Sequence, residues 1–310
     1  MVKLRSYTSR KTSARSFLHE ASNLYRHYRR ASDQARAAIQ DIRRREAVIN
    51  ENLHLELRGL DILEIGPGQF QAQMKYLAVH NRVIGIDLDV ITQNLAPLDY
   101  LRMLRTNGLK RTAKTLGRKI LGIDRQFSSG LLREIGVRSV PTPKVIQMDA
   151  CQMSFADESF DFVYARSVFH HLPNPSAALD GIIRVLRPGG AAYILLHLYT
   201  SETGCLDPRI YTDRGNEVKG WPHLRARLHG RVAGDNTYLN KLRLEDWRKL
   251  FELKMPSAKY FANQAGPGTF ELAQAIRSQG ELLDYSLEEL TTNDLAVLWR
   301  KPVSYAAVLN

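Results

Sequence analysis

Short apolar runs recur along the chain without strict alternation of apolar and polar residues. Runs of this kind are typical of strands that are buried on both faces of a sheet. The pattern predicts seven strands, at 61–64, 82–87, 144–149, 160–165, 191–197, 259–262 and 294–301. A helical pattern that begins at Ser176 precedes the helix-stopping sequence Arg187-Pro-Gly-Gly190. The order of elements predicts an open α/β sheet.

The first predicted strand leads into a turn with two glycines. The chain reads Glu64-Ile-Gly66-Pro67-Gly68 there, and glycine is favoured where φ is positive or where a ligand approaches the backbone. The second predicted strand ends in Asp87, whose carboxylate can accept hydrogen bonds from both hydroxyls of a ribose. Because open α/β sheets bind ligands at the carboxyl ends of their strands, we expect a nucleoside site here.

The glycine turn lacks the features of two common nucleotide-binding loops. A dinucleotide fingerprint would need a third glycine at the position of Gln71. A phosphate-binding loop would need Gly-Lys-Ser/Thr, which Gln69 and Phe70 do not provide. The expected ligand is therefore a nucleoside without a pyrophosphate.

Taken together, these segments resemble the class I S-adenosylmethionine-dependent methyltransferases, in particular the small-molecule, methyltransferase-11-like group. The resemblance covers roughly residues 58–198 and includes the residues that follow the fourth strand, Arg166-Ser-Val-Phe-His-His-Leu172, and the turn Leu186-Arg-Pro-Gly-Gly190. Phe70 stands where many members have a third glycine. The resemblance implies a seven-stranded, mostly parallel Rossmann-like sheet with helices on both faces and an antiparallel last strand. It also implies S-adenosylmethionine as the cofactor.

The resemblance further implies cofactor-binding roles at the carboxyl ends of the strands, for Glu64, Gly66, Pro67, Gly68, Asp87, Leu88, Asp149, Ala150 and Arg166. Glu64 would hold the methionine part, Asp87 the ribose hydroxyls and Asp149 the adenine amino group. For each acid the alternative is a helix cap or a solvated turn.

Histidines are the candidates for a general base, because imidazole titrates near neutrality. The resemblance points to His171, with His170 beside it, although in many family members that histidine only shapes the pocket. His197 and His223 are alternatives, since they lie at or after the fifth strand. No cluster has the spacing of metal ligands, so we expect no catalytic metal.

Additions flank and interrupt the predicted methyltransferase domain, which spans residues 58–304. Residues 1–57 are predicted to form a basic arm and one or two amphipathic helices, which could act as a lid, a packed surface helix or a dimer contact. An insertion at 90–142 is basic. A second insertion, at 199–241, follows the fifth strand, and we expect Tyr199, Trp221 and His223 to contact the acceptor there; the alternative is a surface loop with its own small core. Residues 305–310 are a C-terminal tail.

The net charge of +12 is concentrated in two stretches. Residues 1–60 carry 13 Lys/Arg against 6 Asp/Glu, and residues 90–144 carry 11 against 3. Such surfaces attract anionic small molecules, lipid headgroups or RNA, or they merely keep a protein in solution. Two cysteines, no apolar run of about 20 residues and no signal peptide together indicate a cytoplasmic location without a transmembrane segment. The composition of residues 1–19 also fits an organelle transit peptide.

The function we expect is methyl transfer to a small-molecule or glycan-like acceptor, possibly anionic, at oxygen. An RNA-directed methyltransferase is the alternative. It is disfavoured because no Asn/Asp-Pro-Pro-Tyr/Phe follows the fourth strand and because the basic stretches contain few aromatic residues. A non-catalytic cofactor-binding scaffold is disfavoured by the intact acids and glycines. The sequence defines neither the acceptor nor the oligomeric state.

Overall fold

The computed structural model describes residues 14–92, 96–207, 209, 215–231 and 238–303. In these ranges seven strands form one sheet, in the order β3-β2-β1-β4-β5-β7-β6. The strands are β1 (Asp61–Ile65), β2 (Arg82–Asp87), β3 (Lys144–Gln147), β4 (Phe160–Arg166), β5 (Leu186–His197), β6 (Lys259–Gln264) and β7 (Thr292–Arg300). Strands β1 to β5 are parallel, and β7 is antiparallel to both of its neighbours. The predicted fold class is confirmed.

Nine α-helices surround the sheet in the described part of the chain. They are α1 (Ala14–Leu53), α2 (Ala72–Leu77), α3 (Pro97–Asn107), α4 (Leu109–Ile120), α5 (Ile123–Ile135), α6 (Pro175–Val185), α7 (Leu244–Lys254), α8 (Pro267–Ser278) and α9 (Leu287–Thr291). Short 3-10 turns at Ala150–Gln152 and Phe169–His171 follow β3 and β4. These two turns begin at the carboxyl edge of the sheet, where the cofactor residues are predicted.

Helix α6 begins one residue earlier than the sequence pattern suggested. Asn174 is its N-cap and accepts a hydrogen bond from the Ala177 amide at 3.0 Å, while Pro175 occupies the first helical turn. The helix ends at Val185, and β5 begins at once with Leu186. The Arg187-Pro-Gly-Gly190 segment therefore lies within β5, at a register shift opposite Phe160 and Phe162, and does not form a separate turn.

The core has a layer on each face of the sheet. On one face α6 and α7 contribute to a cluster that includes Phe169, Trp247 and Trp299. On the other face α1 and α2 cover a cluster that includes Phe162, Tyr164 and Tyr193. The parallel strands are thus buried on both faces, which explains their continuous apolar runs.

The N-terminal addition is a single helix of 40 residues where one or two had been predicted. From residue 30 onward its apolar stripe is buried within the chain, at Ala31, Ala35, Ile39, Ile42, Ile49 and Leu53. The middle of the stripe packs against Phe127 and Leu131 of α5, and its end joins the core under the sheet. This part of α1 is therefore a packed helix. The first 13 residues and the tail 305–310 lie outside the described residues.

The insertion at 90–142 contains α3, α4 and α5, of which α5 packs on α1. The insertion at 199–241 contains short 3-10 turns at Gly215–Val218 and Ala226–Arg231. Within the ranges that the structure describes, no helix has both the length and the apolar character needed to cross a bilayer.

Candidate active site

A cavity of about 420 Å³ opens at the carboxyl ends of β1, β2 and β4. Its volume falls in the range of small-ligand sites, and its place is where open α/β sheets bind ligands. The lining includes predicted cofactor residues from each strand end, namely Gly66, Pro67, Gly68, Asp87, Leu88, Ala150 and Arg166. It also includes His171, Arg111 and Tyr238. The fold thus brings most of the predicted cofactor residues to one cavity.

The two glycines of the turn after β1 have different roles. Both have a positive φ, 71° at Gly66 and 65° at Gly68. A Cβ on Gly66 would lie 2.2 Å from Cγ2 of Val168, so the packing of the loop after β4 excludes any side chain there. A Cβ on Gly68 would meet no atom within 4 Å. Gly68 therefore leaves its backbone open towards the cavity, which suits the close approach of a ligand.

Asp87 brings a carboxylate to the cavity wall. Its Oδ1 accepts a hydrogen bond from the Asp89 amide at 2.9 Å. Burial raises the pKa of Asp87 to about 6, although the Arg111 guanidinium and the Gly68 amide both favour the charged form. A buried carboxylate of this kind gains from new donors, and the two hydroxyls of a ribose would supply them.

Asp149 caps a short helical turn, which was the alternative to its predicted contact with adenine. Its Oδ1 accepts a hydrogen bond from the Cys151 amide at 2.8 Å and so caps the turn Ala150–Gln152. Asp149 itself is not among the lining residues, whereas Met148 and Ala150 are. The cap presents Ala150 to the cavity, and adenine binding by Asp149 stays a prediction.

Glu64 is buried below the cavity and does not line it. Among the residues that the structure describes, none forms a hydrogen bond with its Oε2. Burial raises the pKa of Glu64 to about 8, against the influence of Arg45 and Arg166. Both arginines contact Asp41 of α1, Arg166 at 3.5 Å, so α1 contributes to the electrostatics at this end of the site.

His171 is the predicted base that reaches the cavity. Its Nδ1 lies 2.9 Å from the Tyr238 carbonyl oxygen. Because a carbonyl only accepts, Nδ1 carries the hydrogen and the imidazole lone pair is on Nε2. Burial lowers the pKa of His171, so the ring is neutral at pH 7 and can take up a proton.

His170 does not line the cavity. It is buried, and its Nδ1 accepts a hydrogen bond from the His197 backbone amide at 3.1 Å. Burial lowers the pKa of His170 to about 2, so the ring is neutral at pH 7. The side chain joins the loop after β4 to the end of β5, and a catalytic role for His170 stays a prediction.

The three residues predicted to contact the acceptor are also placed away from this cavity. Trp221 is fully buried against Ala273, Ile276 and Leu290, and its Nε1 donates to the Thr200 carbonyl at 3.0 Å. Nε2 of His223 lies 2.8 Å from the Tyr199 carbonyl oxygen, and the two rings pack edge to face. This is the alternative with its own small core. Trp221 has no exposed surface, and its contact with the acceptor stays a prediction.

A histidine–carboxylate pair lies at the same edge of the sheet, and only its histidine had been predicted from the sequence. His197 and Asp294 are paired across β5 and β7, and Nδ1 of the histidine lies 3.0 Å from Oδ1 of the carboxylate. Nε2 of His197 lies 3.1 Å from Thr203 Oγ1. The sequence had marked His197 as an alternative base, but nothing in it linked the histidine to an acid 97 residues away. Arg111, which also lines the cavity, lies in the basic insertion at 90–142 and had no predicted role.

Comparisons with known proteins agree with this architecture. Residues 105–194 match a family model described as a methyltransferase domain. An uncharacterised chloroplastic methyltransferase of Arabidopsis thaliana is 30% identical over 102 residues, 33% of this chain and 25% of that protein. A phosphatidylethanolamine N-methyltransferase of Cereibacter sphaeroides is 34% identical over 85 residues, 25% of this chain and 40% of that protein. The matches thus span between a quarter and two fifths of these relatives.

Two solved structures align with most of the chain at low identity. The YcgJ protein of Bacillus subtilis has 14% identity and a TM-score of 0.42, over 83% of this chain and 97% of its own. Phosphoethanolamine N-methyltransferase 2 of Haemonchus contortus, solved with phosphomonomethylethanolamine and S-adenosylhomocysteine, has 17% identity and a TM-score of 0.43, over 84% of this chain and 53% of its own.

The strand order of the sheet and the match to the family model both point to a methyltransferase domain. Residues 105–194 match a methyltransferase domain, and the sheet has the fold that the resemblance to class I S-adenosylmethionine-dependent methyltransferases implied. S-adenosylmethionine is the cofactor of this class. The family match begins after the glycine turn and ends within β5, so it includes Asp149, Arg166 and His171 but not Gly66 or Asp87.

Proposed function

We propose that the protein transfers a methyl group from S-adenosylmethionine to a small-molecule acceptor, at oxygen. The observation that carries this proposal is the cavity that joins the glycine turn, Asp87 and a neutral His171. This cavity is lined by the Asp87 carboxylate, which could bind a ribose, by the open backbone at Gly68 and by the His171 imidazole.

The residues of the cavity fit this cofactor. Asp87 would accept from the ribose hydroxyls, while the backbones of Gly66 and Gly68 would lie along the ligand. Ala150 and Leu88 would flank the adenosine part, and the Arg166 guanidinium would lie near the charged methionine part. When bound, S-adenosylmethionine supplies a methyl group on a good leaving group, so the protein mainly aligns the acceptor and removes its proton.

His171 is our candidate for the group that removes the proton. Its lone pair is on Nε2, and the Tyr238 carbonyl fixes the tautomer through Nδ1–H. An imidazole held neutral at pH 7 can take a proton from a hydroxyl as the new bond forms. His197, oriented by Asp294, is the alternative base at the same edge of the sheet.

We expect a small acceptor, and the presence of Arg111 and Arg166 in the cavity lining favours one that carries negative charge. An amine is the second candidate, because the matching Cereibacter sphaeroides protein is named as a phosphatidylethanolamine N-methyltransferase. RNA remains the less favoured macromolecular acceptor. Both cysteines of the chain are free thiols, which supports a reducing, cytoplasmic location.

The test begins with the cofactor. Calorimetry with the full chain should detect S-adenosylmethionine and S-adenosylhomocysteine but not NAD. Binding of NAD with no response to S-adenosylhomocysteine would disprove the assignment. Methyl incorporation is then measured by mass spectrometry on matched hydroxyl and amine compounds, with and without a carboxylate or phosphate, and on RNA. Incorporation confined to amines would replace the proposed oxygen acceptor, and incorporation into RNA alone would favour the macromolecular alternative.

A further inference from the structure

The apolar side of helix α4 faces the solvent. Leu109, Ala113, Leu116 and Ile120 are four, three and four residues apart, so they share one side of the helix. Leu109 and Ile120 are 73% and 72% exposed. The buried residues of α4, Thr112 and Thr115, are polar. An amphipathic helix that only completes a core would be oriented the other way round.

The neighbouring helix α3, which contacts α4, also exposes apolar side chains. Leu98, Leu101 and Leu104 are three residues apart and are all exposed, whereas Met103 is buried. Seven of the fourteen exposed large hydrophobic side chains in the described part of the chain lie in α3, α4 and the adjoining Leu121. We call residues 97–121 the apolar–basic face. A concentration of this kind on a surface is a sign of a binding partner.

The charge of the apolar–basic face narrows the choice of partner. It contains seven basic residues and one acid, Asp99. Arg111 and Arg118 are turned towards the domain, where they meet Asp89 and Asp124. Arg102 and Arg105 are exposed beside the leucines of α3. A second copy of the same face would bring like charges together, whereas a bilayer with anionic headgroups offers phosphates for the arginines and an apolar interior for the leucines.

We propose that the apolar–basic face docks on an anionic lipid bilayer. The stripes of α3 and α4 would enter the boundary between headgroups and acyl chains, and the arginines would meet the lipid phosphates. Arg111 of α4 also lines the active-site cavity, so docking would place that cavity next to the membrane surface. The docking does not depend on the proposed methyl transfer and can be measured without it.

The experiment uses the full chain and sucrose-loaded vesicles of phosphatidylcholine, either alone or with about 30 mole per cent phosphatidylglycerol. The anionic lipid gives the vesicle surface a negative potential. The double variant Leu109→Ser/Ile120→Ser removes the most exposed apolar groups of α4. Leu253→Ser/Leu283→Ser is the matched control, since these leucines are 72% and 59% exposed elsewhere on the protein. Arg102→Glu/Arg105→Glu tests the charge. Thermal melts establish that each variant is folded.

We expect the wild type and the leucine control to sediment with anionic vesicles at low salt. The α4 variant and the arginine variant should each bind at least about tenfold more weakly, and binding should fall as salt is raised. Failure of the wild type to bind anionic vesicles would overturn the proposal, as would equal binding by the α4 variant. Analytical ultracentrifugation provides a further check, because a dimer that Leu109→Ser/Ile120→Ser abolishes would show that a second copy covers this face instead.

Discussion

Oδ1 of Asp294 lies 3.0 Å from Nδ1 of His197, although 97 residues separate the two in sequence. The antiparallel pairing of β5 with β7 brings them opposite each other at the carboxyl end of β5. Burial alone would raise the pKa of Asp294, but hydrogen bonds with His197 and Asn263 hold it below its usual value. The carboxylate is therefore ionised near neutrality and orients the His197 ring through Nδ1. His197 thus has a carboxylate partner of the kind that orients a general base. His171, in contrast, lines the cavity where the base would act.

The first prediction separates these two histidines. If His171 removes the acceptor proton, His171→Ala should lower kcat on the order of 10²–10⁴-fold. His197→Ala and Asp294→Asn should each lower it less than about tenfold, because the bond from the His197 backbone amide to His170 remains in place. Single-turnover rates at saturating cofactor provide the measurement. A large loss in both His197→Ala and Asp294→Asn, with a mild effect at His171, would transfer the base to His197.

The second prediction concerns the pH dependence of cofactor binding. Asp87 has a pKa of about 6 in the free protein, and its carboxylate form accepts stronger hydrogen bonds from the ribose hydroxyls than its protonated form does. Affinity should therefore be constant well above pH 6 and should fall as the pH decreases through 6. Asp87→Asn should bind about 1.5–3 kcal/mol more weakly at pH 8 and lose this dependence, as expected for hydrogen bonds to a charged group. Calorimetry with S-adenosylhomocysteine at several pH values tests both, and an unchanged affinity in the variant would place the ribose elsewhere.

The third prediction treats Trp221 as a core residue. Trp221→Ala should destabilise the fold by about 3–5 kcal/mol, because it leaves a cavity between α8 and α9 and an unpaired Thr200 carbonyl. Leu253→Ala, at an exposed site, should stay within about 0.5 kcal/mol of the wild type. Denaturant unfolding measures both. A Trp221→Ala variant of normal stability that fails to bind acceptor would support its predicted contact with the acceptor.

The sequence predicted the sheet well because each strand carries its own signal. Continuous apolar runs and the acids at strand ends are local, and parallel strands buried on both faces produce them directly. The same locality explains why Gly66, Asp87 and His171 could be placed at the cavity. Their positions follow from strand ends that all meet at one edge of the sheet.

The features that the sequence did not define have a different physical cause. Trp221 is aromatic and follows β5, but whether it meets a ligand or a core depends on α8 and α9, which follow much later in the chain. The Asp294 partner of His197 depends on the pairing of β7 with β5. The outward orientation of α4 also depends on tertiary packing, since its amphipathic pattern is the same whichever side is covered. Long-range packing therefore decided the roles that local patterns left open.

The last prediction concerns the cost of burying Glu64. Its pKa is about 8 in the folded protein against an ordinary value of 4.5. Below pH 4.5 the group is protonated in both the folded and unfolded states and costs nothing. As the pH rises from 4.5 to 8, the unfolded chain ionises while the folded chain keeps its proton, so the free energy of unfolding decreases. At about 1.36 kcal/mol for each difference of one in pKa, the loss is on the order of 5 kcal/mol above pH 8. Glu64→Gln removes the titration, so the melting temperature of the variant should rise relative to wild type between pH 5 and pH 9, measured without cofactor. Glu56→Gln is the control, because Glu56 is exposed and its side chain meets Arg58 at the surface. Melting curves of Glu64→Gln that parallel the wild type across this range would show that the carboxyl is not buried in the free protein.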